Sequence, residues 1–199
     1  MSTVQVDTIN ESTTNAGVTI DSVLIKDGEV DGVDVSAITQ GITEYDQWQL
    51  VNSTSPNENG DLDGTWTRFD HLGATYIGTG MSVSSGIFTF PSTGKWEVIF
   101  TARIANTGSD DQLNIQTFFT NDNSNYSKVA IVGGGQGSTG RNTGSSFILL
   151  DITDVSLCKV KFTVASASAQ TYVFGSDNPS DTSTGKPQTY AIFKRLGDT

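Results

Sequence analysis

A single cysteine, Cys158, rules out a framework of disulfides within the chain. It stands in the alternating stretch "SLCKVKFTVA", where a small buried hydrophobe is expected. The only histidine, His71, lies far from it in sequence, and one histidine leaves little room for a Ser-His-Asp or Cys-His nucleophile. Basic residues are scarce, 11 against 22 acidic ones, and the formal net charge of −11 argues against binding a nucleic-acid backbone. The acids are spread through turn-rich stretches, as expected of a solvated, self-repelling surface. No apolar run follows Met1 and no stretch approaches the ~20 apolar residues of a membrane span, so neither membrane insertion nor a sequence-encoded secretion route is expected. The sequons at Asn10, Asn52 and Asn125 then read as chance in a chain rich in Ser, Thr and Asn. Helical periodicity is missing from every segment long enough to show it.

What remains is sheet. Apolar residues make up 35 % of the chain, and Gly, Ser, Thr, Asn and Asp are abundant. That balance suits a β protein with long loops that completes its burial by oligomerising. From Tyr45 onward the sequence reads as a succession of short strands: "QWQLVN", "TWTRFD", "ATYIG", "MSVSSGIFTF", "KWEVIFTARIA", "LNIQTFFTN", "YSKVAIVG", "SSFILLDI", "LCKVKFTVASA", "QTYVFG" and "TYAIFKRL". Many short strands at regular spacing predict an all-β sandwich or jelly roll. In "WEVIFTARI", Trp96, Val98, Phe100, Ala102 and Ile104 share one face, with Glu97, Thr101 and Arg103 on the other. In "TYAIFKRL" both faces are apolar: Tyr190 and Ile192 on one, Ala191 and Phe193 on the other. Subunit contact is the economical reading of such a strand and a covering loop the alternative, so these four residues are the expected oligomer interface.

Residues 1–43 differ from the rest. They contain no aromatic residue before Tyr45, and β-branched pulses (Val4/Val6, Val18/Ile20, Val23/Ile25, Val33/Val35) alternate with Asp, Asn and Gly. Each pulse is too short to bury its apolar side alone. The expected organisation is an N-terminal attachment or fibrous segment over 1–43 and a jelly-roll head over 44–199, a disordered leader being the alternative for the first.

The stretch "GIFTFPSTGKWEVIF" carries a resemblance. An apolar strand ending in Phe90-Pro91, a turn with Gly94 and a strand led by Trp96 resemble the jelly rolls of tumour necrosis factor and of complement globular heads. The ending "TYAIFKRLG" looks like the closing strand of that fold. The resemblance implies about ten strands and a compact homotrimer packed around a threefold axis. The collagen-like Gly-X-Y stalk of complement-type proteins is absent, so any trimerising stem must be β-structured. "VDTINESTTNAGVTIDSVLIKDGEVDGVDVS" and "FKRLGDT" resemble virion structural proteins of tailed bacteriophages, especially those infecting marine bacteria. That likeness implies a virion location after assembly in the host cytoplasm, and other virion proteins of capsid or tail as partners.

Candidate chemistry is sparse. In "NGDLDG", Asn59, Asp61 and Asp63 before Gly64 match the start of a calcium loop, with Asp70 placed to close it. The flanking helices of such a site are missing, and the same residues are ordinary turn formers. No cofactor is therefore expected, Ca²⁺ remaining the candidate to test. The Gly-rich run 133–144 lacks the Gly-Lys-Ser/Thr of a phosphate loop and reads as a long flexible loop. Arg141 and Asn142 within it are candidates for touching a sugar or a neighbouring capsomer. Trp48, Trp66 and Tyr126 lie near turns and are candidates for stacking on a glycan, with burial in the core as the competing reading. Asp110/Asp111 and Asp61/Asp63 are loop acids without an apolar pocket, so the chain is not expected to be an enzyme. The expected function is that of a trimeric tail-fibre or receptor-binding component contacting a host glycan or protein through its loops. The alternative is a capsid decoration protein clasping threefold sites through its N-terminal segment.

Overall fold

The computed structural model describes residues 18–20, 23–26, 29–30, 33–34, 41–52, 60–69, 73–106, 113–134, 140–166, 171–173, 175 and 188–199. His71, Asn59, Asp70 and the Asp110/Asp111 pair lie outside them. By its contacts the chain separates into two units, Met1–Gly41 and Ile42–Thr199. In the first, β1 (Val18–Ile20), β2 (Val23–Lys26), β3 (Glu29–Val30) and β4 (Val33–Asp34) form a four-stranded antiparallel meander in sequence order. Its register sets Val18 opposite Ile25, Ile25 opposite Val30 and Val30 opposite Val33.

The second unit is a two-layer antiparallel sandwich. Its strands are β5 (Tyr45–Leu50), β6 (Gly60–Asp61), β7 (Trp66–Arg68), β8 (Ser82–Ser84), β9 (Ile87–Thr89), β10 (Gly94–Asn106), β11 (Leu113–Thr120), β12 (Ser127–Gly134), β13 (Gly140–Ile152), β14 (Lys159–Ser166), β15 (Thr171–Val173) and β16 (Tyr190–Gly197). One sheet runs β13-β10-β16-β5-β7, with β15 pairing the far end of β10; the other runs β12-β11-β14-β9-β8, with β6 on β14. Apart from β8–β9, β11–β12 and β15–β16, sequence neighbours lie in opposite layers, the arrangement of a jelly roll. The long strands β10 and β13 pair over their whole length, from Gly94 opposite Ile152 to Asn106 opposite Gly140.

The alternation in "WEVIFTARI" decides which side goes in. Trp96, Val98, Phe100, Ala102 and Ile104 are buried against Phe88, Phe90, Ile115, Val160, Phe162 and Val164 of the second sheet. Phe100 stacks on Phe162 with centroids 4.3 Å apart. Phe88 meets Trp66 edge-on at 5.3 Å and Phe193 at 5.0 Å, the offset and tilted geometries that aromatic quadrupoles favour. Cys158 is buried in this core, as its setting predicted.

The stretch 82–96 contains two turns. "VSSGIF" is a hairpin, β8 to β9, whose turn residues Ser85 and Gly86 have φ of 48° and 73°. A Cβ on Gly86 would lie 2.4 Å from the Leu62 carbonyl oxygen, so the residue serves both the turn and a close approach. "FPSTG" then carries the chain from the second sheet to the first.

The registers also fix the direction of the domain. Tyr45 lies opposite Lys194, and Gly197 opposite Lys95, so the chain enters and leaves at one end of the sandwich. Asn106, Leu113, Gly134, Gly140 and Thr171 gather at the other end.

Candidate functional site

Apolar side chains also appear where the sandwich alone does not need them, on the outer face of the β13-β10-β16-β5 sheet. Across that face Phe147 pairs Ile99, Ile99 pairs Ile192, and Ile192 pairs Gln47. One step along, Leu149 pairs Glu97, and Glu97 pairs Lys194. On the other side of the first row, Thr101 stands between Ser145 and Tyr190. Phe147, Leu149 and Leu196 are 66 %, 60 % and 55 % exposed, unusual for residues of this size. Together with Glu97 they line a groove of about 320 Å³.

Most polar groups on this face are already paired, Gln49 Oε1 opposite Tyr190 being an exception without a partner among the described residues. Lys194 Nζ lies 2.5 Å from Glu97 Oε2, Lys95 bonds Asp151, and Thr101 Oγ1 is 2.7 Å from Ser145 Oγ. Arg103 donates to Gln188 Oε1 at 2.5 Å. A face whose charges are neutralised locally can be covered at lower desolvation cost than one bearing lone charges.

The expected interface residues divide between two surfaces. Tyr190 and Ile192 are on this outer face, half-buried. Ala191 and Phe193 point inward and are fully buried in the core, so they cannot touch a second subunit. The sequence is apolar on both sides of β16 because one side fills the sandwich and the other belongs to the exposed patch.

The candidate loop residues are scattered. Trp66 is a core residue, its indole N–H donating to the Leu62 carbonyl at 2.8 Å. Trp48 is half-buried and donates through Nε1 to Asp46 Oδ2 at 2.8 Å. Asp46 is 1 % exposed and is the hub of a network that sequence reasoning missed. It accepts from the amides of Gln47 and Met81, from Trp48, and from Arg68 Nε and Nη2 at 2.8 and 3.0 Å. The Arg68 guanidinium sits over Trp48 and Tyr76, and its bond to Asp46 pushes its pKa up. An acid two residues before Trp48, on the face of the strand that carries Trp48 and Leu50, is the only sequence trace of it.

Asp61 and Tyr126, candidates for different chemistry, meet on the other sheet. Asp61 Oδ2 pairs with Lys161 Nζ at 2.7 Å, and that nitrogen is 4.8 Å from the Tyr126 ring. Burial, with the Asp61 charge, raises the Tyr126 pKa. Asp63 is exposed, while the other two candidate calcium ligands, Asn59 and Asp70, lie outside the described residues. Among the described residues no three acids, histidines or cysteines come together as a metal site. Arg141 and Asn142 are in strand β13 and not in a long loop: the strands β12 and β13 take up all of the Gly-rich run except 135–139. They stand at the end of the sandwich opposite to chain entry.

No protein-family model and no curated protein matches the chain. Solved structures do. Eiger TNF from S. frugiperda is similar over 80 % of this chain and 96 % of its own, with 11 % identity and a TM-score of 0.55. Murine APRIL is similar over 77 % and 98 %, at 12 % identity and a TM-score of 0.52. The PRD1 vertex protein P5 aligns over 79 % and 99 %, at 15 % identity and a TM-score of 0.47. The fold is a TNF-like jelly roll. Its strands all belong to the unit Ile42–Thr199, the jelly-roll head.

Proposed function

We propose that the chain is a homotrimeric virion structural protein of a tailed bacteriophage, a fibre or receptor-binding component without enzymatic activity. The observation that carries the oligomer is the outer face of the β13-β10-β16-β5 sheet. Phe147 and Leu149 stand on its edge strand, while Ile192 and Tyr190 stand two strands inward. An edge that packs on a neighbour's face makes a heterologous contact, and such contacts close as a ring when the rotation between neighbours closes, a third of a turn for a trimer. The leader's resemblance to phage virion proteins supports the setting. Entry and exit of the head's chain at one end support attachment there and presentation of the opposite end.

Sedimentation equilibrium on the full chain tests the assembly: a trimer is expected, with Phe147→Asp and Ile192→Asp yielding folded monomers. A wild-type monomer at micromolar concentration refutes it. Quantitative mass spectrometry of purified virions tests the role. A small multiple of three copies per particle fits a fibre; hundreds of copies would make the chain a capsid decoration protein and reject the fibre reading.

A further inference from the structure

Two rows of side chains cross the outer face of the β13-β10-β16-β5 sheet, and each is apolar at both ends. The first runs Leu149, Glu97, Lys194, Tyr45 and then Ile77, which exchanges both backbone hydrogen bonds with Tyr45 at 3.1 and 2.8 Å. The second runs Phe147, Ile99, Ile192, Gln47 and ends at Phe69, whose amide donates to the Gln47 carbonyl at 2.9 Å. Residues directly opposite in antiparallel strands share a face. Phe69 falls on this one because Trp66, three residues before it, faces the core. Ile77 is 46 % exposed, so its row is open to solvent at both ends. The sheet thus has two apolar margins, with the Glu97–Lys194 ion pair between them.

The margins differ in shape. On the β13 side, Phe147, Leu149 and Leu196 stand around an open groove of about 320 Å³. A void of about 150 Å³ holds a benzene ring, so the groove has room for two side chains of that size. On the far side, Tyr45 and Ile77 stand next to each other across their bridge and offer such a pair. In a head-to-tail contact two different patches meet, and every copy carries both. A twofold face-to-face pair would join the margins too, but it would bury Glu97 and Lys194 at its centre, where desolvation costs most. A head-to-tail ring joins the margins and leaves that ion pair beside the axis.

We propose that the groove beside β13 receives Tyr45 and Ile77 of the next copy of the chain, margin to margin around the ring. This rests on the homotrimer reading and names the surfaces that meet in each of its contacts. Each copy supplies one groove and one insert.

Disulfide cross-linking of a full-length chain carrying both Leu149→Cys and Ile77→Cys tests the docking. Four strand spacings of ~4.8 Å put these positions about 19 Å apart within a chain. A disulfide spans at most ~7 Å between Cα atoms, so any bond between them joins two copies. Cys158 is buried, and the wild-type chain controls for it. Oxidation is expected to give covalent dimers and trimers of the double variant on a denaturing gel, and neither from Leu149→Cys or Ile77→Cys alone. A ladder that stops at dimers, or dimers from either single variant, overturns the head-to-tail docking. Ile77→Asp, at a position already open to solvent, should weaken wild-type assembly roughly tenfold or more with an unchanged circular dichroism spectrum; no weakening overturns the docking as well. A wild-type trimer whose double cysteine variant stays uncross-linked refutes this docking and leaves the trimer standing. A wild-type monomer in sedimentation refutes the trimer itself, and the docking with it.

Discussion

Replacing Asp46 by alanine should be among the most damaging single changes to the head. The carboxylate is enclosed and takes hydrogen bonds from two backbone amides, one indole and two guanidinium nitrogens. Hydrogen bonds to a charged group contribute ~1.5–3 kcal/mol each, but the losses are not additive. Breaking a buried ion pair by removing one partner costs ~3–5 kcal/mol. Arg68 keeps its bond to the Met81 carbonyl, and its side chain is 29 % exposed, so the released cation is partly rehydrated. The lower end applies, about 3 kcal/mol. Urea denaturation at fixed protein concentration measures it, since an oligomer's midpoint shifts with concentration. Arg68→Met in the Asp46→Ala background should recover part of the loss, because no lone charge is then left behind. A cost below about 1 kcal/mol for Asp46→Ala would show that the network contributes little, and the reasoning would be wrong.

Phe162→Ala should cost about 3–5 kcal/mol by the same denaturation, since the ring stacks on Phe100 and touches Phe88 and Trp66. Gly86→Val forces a β-branched residue to positive φ and sets its Cβ against the Leu62 carbonyl; a loss of at least ~1–3 kcal/mol is expected, read as a lowered Tm. Asp122 accepts bonds from Ser124, Asn125 and Thr120, which hold its pKa well below the usual carboxylate value. A depressed pKa means that the turn's stabilisation is present above the ordinary carboxylate pKa and is lost as pH falls through the folded one. In an NMR titration Asp122 should therefore be among the last carboxylates to protonate, and Asp122→Ala should leave a turn insensitive to acid.

Much of the head was legible because a period of two is a strong signal wherever one side of a strand is polar. β10 and β11 emerged almost with their observed bounds. The β8–β9 hairpin was hidden in "MSVSSGIFTF", which alternates like a single strand, although Ser-Gly at its centre is a recognisable turn dipeptide. The Gly-rich run misled for the opposite reason: glycine has little strand preference, yet the early residues of β13 are held extended by the long partner β10. On β16 the alternation carried no polarity, so inward Phe193 could not be told from outward Ile192 without the sheet. The Asp46 network was illegible because Arg68 and Met81, which complete it, lie 22 and 35 residues away.

Since the head's chain enters and leaves at one end, that end and the far one are free to change on separate schedules. Substitutions around Arg141, Asn142 and Gly144 leave the Tyr45–Lys194 end untouched, and they also leave Ile192 and Phe147 in place. Residues at one pole can thus vary without disturbing the other. The same division makes the far pole the place for grafting a foreign peptide.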